Sequence, residues 1–184
     1  MLEQWDANFP DCPPVGFRLK ESFPQRWTRF HCLPESKRYA ENEAEHEVIR
    51  SRNRAVLNEL SQNESWLWLA ITEFADTAQP CRNDPRLAEL VPAADFWRAE
   101  DAFEIDSYWQ LFVCQISPHD AVIDTLLRLV ANDELRNVLL FPDDCRWVFY
   151  PYDGGMDVVL PTQEERLLIR QKFHDWLPQN PQGL

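Results

Sequence analysis

The stretch Cys145–Pro161, CRWVFYPYDGGMDVVLP, constrains this chain more than any other. Two apolar runs, Trp147 to Tyr150 and Met156 to Leu160, flank Tyr152-Asp153-Gly154-Gly155. Asp-Gly and Gly-Gly supply the positive φ angles of a tight hairpin turn, and the chain has only four glycines, two of them here. Directly after it, Thr162 and Glu165 form a capping box that opens a helix with Ile169, Phe173 and Trp176 or Leu177 on its apolar face. A β-hairpin followed by a packed helix therefore closes the fold.

The rest of the chain reads as strands and helices at irregular intervals. Residues 1–26 are rich in Pro and aromatics and predict an irregular arm packed on the domain, with a short first helix. WTRFHCL (27–33) alternates as a strand does, and Pro34 ends it. From about Glu43 to Ser61, Val48, Val56 and Leu60 share one helical face, with Arg52 set in the middle of it. WLWLAITEF (66–74) is an apolar run of central-strand length. A Pro-rich connection (75–95), two strands (96–103 and 108–116), a helix capped at Ser117 and Asp120, and a strand over 137–141 complete the order. The pattern predicts a single α+β domain over 27–178 and a frayed tail over 179–184. Its sheet is mixed or largely antiparallel, with about three helices packed mainly on one side.

Composition bounds the function. The net charge of −13 repels nucleic-acid phosphate and suits a basic protein partner. No apolar run approaches the roughly 18–20 residues that span a bilayer, and the N-terminus has no secretory pattern. Five scattered cysteines without C-x-x-C spacing fit free thiols in a reducing cytoplasm. No catalytic, phosphate-loop or metal-ligand motif is present, and no cofactor is expected.

Two polar constellations stand out. Arg29 and His31 point to one face of the first strand, and Lys37, Arg38 and Tyr39 follow its end, where an anion could be held. The alternatives are a solvated strand face for Arg29 and His31, and pairing of the basic cluster with Glu41, Glu43 and Glu45. Asp153 serves the turn chemically. Asp157 interrupts an apolar strand: it either faces water, as alternation suggests, or turns inward to a partner such as Arg29, Arg52 or His31. Arg52 either snorkels along its apolar stripe or anchors a carboxylate such as Asp106 or Asp157.

FHCLPESKRYAENEAEHEVI, WVFYPYDGGMDVVLP and RQKFHDWLPQNPQGL resemble an uncharacterised bacterial family catalogued as a domain of unknown function, with an RFHxLPESKRY segment and a YDGGxD hairpin. The resemblance covers most of the chain from Trp27 onward. It implies a bacterial cytoplasmic protein and carries no activity, substrate or cofactor. Where the family's helix has an Arg-His-Asn core, this chain reads Arg52-Asn53-Arg54, which puts any chemistry of that histidine in doubt here.

Two functions follow as expectations. The first is a non-enzymatic acidic protein-binding domain, immunity- or inhibitor-like, that meets a basic partner through the EFADTAQPCRND loop and Asp143 and Asp144. The second is an enzyme or small-ligand site for an anionic substrate. There Arg29, Lys37, Arg38, Tyr39, Arg52 and Asp153 bind, and His31 and Asp157 act as acid or base.

Overall fold

The computed structural model describes residues 2–102 and 107–179. Seven strands form one antiparallel sheet: β1 (Trp27–His31), β2 (Leu67–Ala75), β3 (Asp95–Asp101), β4 (Tyr108–Ile116), β5 (Leu139–Phe141), β6 (Val148–Tyr152) and β7 (Gly155–Val159). Their spatial order is β1-β7-β6-β5-β2-β4-β3. The helices are α1 (Leu2–Asn8), α2 (Gly16–Ser22), α3 (Glu43–Leu60), α4 (Pro85–Leu90), α5 (Ala121–Ala131) and α6 (Gln163–Lys172). The architecture is α+β, and the three longest helices pack on one face. Ile49, Val56 and Leu57 of α3, Leu126 and Leu127 of α5, and Ile169 of α6 share a core with Phe30, Leu69, Phe112, Phe149 and Val158.

The opposite face is also buried. Trp5 of α1, Phe9 just after its end and Leu19 of α2 cover Ala70, Leu111, Phe141, Val148 and Val159. The N-terminal segment thus packs on the sheet with two short helices, the first as expected and the second in addition. Trp5 is fully buried, and its indole Nε1 donates to the Cys12 carbonyl at 2.9 Å. Because both faces are covered, strand alternation here separates two cores rather than a core from water.

The caps sit where the side chains dictate. Thr162 accepts from the Glu165 amide, and Asn42 from the Glu45 amide. Asp120, rather than Ser117, caps α5 by accepting from Val122. The hairpin turn is Asp153-Gly154, between the paired Tyr152 and Gly155. Its glycines do not serve the purpose expected of them: neither they nor Asp153 lie in the left-handed region. They are required for space. A Cβ on Gly155 would sit 2.3 Å from the Phe30 carbonyl oxygen and 2.7 Å from the Tyr152 hydroxyl.

Edge strand β1 is guarded by arginines. Arg166 donates to the Trp27 carbonyl and Arg52 to the His31 carbonyl, at 3.1 Å for the latter. A row of open backbone acceptors would otherwise template pairing with another chain. This explains the cation in the apolar stripe of α3: the Arg52 guanidinium also lies over the Trp176 ring, 5.1 Å from its centroid.

Candidate functional site

The site begins with a cross-strand row. Register pairs Arg29 of β1 with Asp157 of β7, and Asp157 with Tyr150 of β6. Arg29 donates from Nε and Nη2 to the two Asp157 oxygens, at 2.7 and 2.9 Å. The Asp157 side chain is 1% exposed, so the carboxylate faces inward, and its apparent polar face is the covered one. The guanidinium also lies 4.7 Å from the Tyr152 ring centroid, and that ring lies over Gly155.

Beyond this row the sheet opens. β5 pairs with β2 only from Trp68 to Ala70, whereas β2 runs on to Ala75. Asn137, in left-handed conformation (φ 53°), leads the chain into β5. It also pins the arm: its Oδ1 accepts from Gly16 N at 2.7 Å, and its Nδ2 donates to the Pro14 carbonyl at 3.2 Å. Asn tolerates this backbone better than most residues. The result is a cavity of about 450 Å³ between the arm, the end of β2, β4 and β6, within the range of roughly 300–1,000 Å³ typical of ligand sites.

One wall of the cavity is aromatic. Trp109 is edge-on to Phe17 and Phe74, with centroids 5.4 and 6.1 Å away. Phe17 is 48% and Phe74 59% exposed, an unusual setting for large apolar side chains that also line a hollow. The other wall is polar. Arg38 donates through Nε to Asp153 Oδ2 at 2.7 Å, and Tyr39 donates its hydroxyl to the same oxygen at 2.9 Å. Arg136 clasps both oxygens of Asp133.

Pairing leaves an imbalance in hydrogen-bonding capacity. Asp133 is engaged at both oxygens, whereas Asp153 takes both of its donors on Oδ2 and keeps Oδ1 as a spare acceptor among the described residues. The terminal amino groups of Arg38, Nη1 of Arg136 and the hydroxyls of Tyr150 and Tyr152 have no bond among the described residues. Burial, followed by the Asp157 charge, pushes the Tyr150 phenol up to about 12 and raises Tyr152 as well. Both phenols stay protonated at neutral pH, as hydrogen-bond donors rather than bases. Apart from Asp153 Oδ1, the spare capacity of the polar wall is therefore mainly donor capacity.

Of the residues singled out in the sequence, Arg29, Arg38 and Asp153 line this cavity. Tyr39 supports it through Asp153. Asp157 lies behind it on Arg29, and Lys37 turns away to Glu45, at 2.7 Å, and Glu41. Arg52 meets the His31 carbonyl, and neither side chain lines the cavity. Its other suggested partner, Asp106, lies outside the described residues. His31 is held below its usual pKa by burial and by the Arg29 and Arg52 charges.

The acidic loop after β2 is organised from inside. Glu73 is 5% exposed and accepts from Arg82 and from the Asn83 and Asp84 amides. The fully buried Gln110 bonds Cys81 N and the Thr77 and Gln79 carbonyls. Asp143 accepts from Trp68 Nε1 at 3.1 Å.

Sequence reading missed Tyr150, Tyr152, Asn137, Arg136 and the aromatic wall. Tyr150 and Tyr152 could have been found, since they share a face of the hairpin next to its glycines. The wall joins Phe17, Phe74 and Trp109, which no local pattern connects.

An antiparallel α+β domain with a ligand-sized cleft, one wall aromatic and the other rich in donors, is the class of protein defined here. The chain belongs to the family described as domain of unknown function (DUF3885), whose model matches residues 15–181. Comparison with curated proteins and with solved structures returned no match.

Proposed function

We propose that this domain is a binding protein whose cleft takes a flat apolar group bearing an anionic or hydrogen-bond-accepting head. The observation that carries this reading is the unmatched donor capacity of Arg38, Arg136, Tyr150 and Tyr152, facing Phe17, Phe74 and Trp109 across one cavity. A carboxylate or carbonyl would satisfy those donors, and an aromatic or branched aliphatic body would cover the exposed rings. Binding is favoured over acid–base catalysis because Asp157 has both oxygens on Arg29 and His31 lies off the cavity.

The test is a thermal-shift and calorimetric titration with N-acetyl-phenylalanine and its C-terminal amide. A ligand that binds the folded state raises the unfolding midpoint. The carboxylate should raise it and the amide should raise it less, and Arg38→Ala should remove the difference. Equal responses to acid and amide, or no response to either, would overturn the reading.

A further inference from the structure

The cleft does not end at Phe74. A second hollow of about 610 Å³ shares Thr72, Phe74, Asp133, Leu135 and Arg136 with the first, so the two form one groove across the Phe74–Arg136 saddle. The chemistry changes along it. In the first hollow, with Arg29 assigned to Asp157, two guanidiniums (Arg38, Arg136) face two carboxylates (Asp133, Asp153), and the spare capacity, Asp153 Oδ1 apart, is mainly N–H and O–H. In the second, with Glu73 assigned to Arg82, three carboxylates (Asp84, Asp133, Glu134) face two guanidiniums (Arg86, Arg136). Those carboxylates remain open to water: the side chains of Asp84, Asp133 and Glu134 are 29%, 35% and 43% exposed.

Building on the cleft reading above, we propose that the groove binds the carboxyl-terminal segment of a peptide. Its terminal carboxylate lies on Arg38 and the two tyrosines. Its last side chain covers the Phe17–Trp109–Phe74 wall, and a Lys or Arg a few residues earlier lies in the acidic hollow. This occupant reconciles two facts that conflict for a simple ligand. The donor wall asks for an acceptor, whereas the −13 charge of the chain draws cations. A dipolar peptide of net positive charge answers both. The combined groove also exceeds what one aromatic acid fills, and a linear chain uses its length.

The experiment is isothermal titration of the whole chain with N-acetyl-phenylalanine and three peptides: Lys-Ala-Ala-Phe, Glu-Ala-Ala-Phe, and the C-terminal amide of the lysine peptide. The lysine peptide should bind about fivefold more tightly than the glutamate peptide, the scale of a partly exposed ion pair. Amidation should weaken it by a similar or larger factor, and Glu134→Gln should narrow the lysine-to-glutamate ratio. If N-acetyl-phenylalanine binds but the two peptides bind equally, the peptide proposal fails and the cleft reading stands. If the amide binds as well as the acid, the placement of the carboxylate fails. If neither N-acetyl-phenylalanine nor any peptide binds, both readings fail.

Discussion

Asp157 is the most informative residue to perturb. Its side chain is 1% exposed and that of Arg29 17%, and the two share a bidentate contact at 2.7 and 2.9 Å. Removing one member of a buried pair costs about 3–5 kcal/mol, because the remaining charge loses its partner without regaining water. Arg29 lines the cleft, so water reaches part of it, and the expected cost of Asp157→Asn is about 2–4 kcal/mol. Replacing both partners with apolar residues, as in Arg29→Met with Asp157→Leu, leaves no orphaned charge and should recover most of that loss.

Urea titration of wild type, Arg29→Met, Asp157→Leu and the double variant provides the cycle, with Asp157→Asn measured beside it. With a slope of about 2 kcal/mol per molar, Asp157→Asn should lower the midpoint by about 1–2 M. The double variant should show a coupling of at least about 2 kcal/mol. A single variant within about 0.5 kcal/mol of wild type, or a double variant equal to the sum of the singles, would refute the buried-pair reasoning.

Three further outcomes follow. Gly155→Ala should destabilise by about 1–3 kcal/mol, since its Cβ would meet the Phe30 carbonyl at 2.3 Å; denaturant melts check it, and a neutral result would contradict the close approach. The His31 imidazole binds its proton less readily in the folded chain than in the unfolded one. Its contribution to stability is therefore full above about pH 6.5, the unfolded value, and is lost as pH falls through the lower folded value. Comparing melts of wild type and His31→Gln across that range isolates the slope, which the variant should flatten. Native-state titration with a thiol reagent should label Cys81 rapidly. Cys12, Cys32, Cys114 and Cys145 are buried, and burial pushes Cys32 and Cys145 up to about 12; all five should react in denaturant.

Much of the fold was legible because it is written locally. The apolar run YWQLFVCQI placed β4 at Tyr108–Ile116, and the Thr162 box placed the start of α6. Arg29 and Asp157 were legible as candidates, and Arg29 as one of three possible partners, but the choice among them was not, because the pair is 128 positions apart. Alternation argued for a solvated Asp157 because nothing in β7 shows that the N-terminal segment roofs that face. The aromatic wall was hidden for the same reason, since Phe17, Phe74 and Trp109 come from an arm and two strands. Asn137 was read as the start of a strand, whereas its left-handed backbone and three partners make it the hinge between arm and cleft.

The roof over the second sheet face carries a cost in the order of synthesis. Trp5 and Phe9 precede their whole seat, and the part of it formed by Leu139, Phe141, Val148 and Val159 is made long after Ala70 and Leu111. At about 5–20 residues per second, two large aromatic side chains wait roughly ten to thirty seconds for their binding surface. β1 waits alongside them, because its only strand partner among the described residues is β7. Until the hairpin is made, these aromatic side chains and β1 are therefore without their full seat. Pairing of β6 and β7, rather than of the earlier strands, is thus the step that completes the sheet.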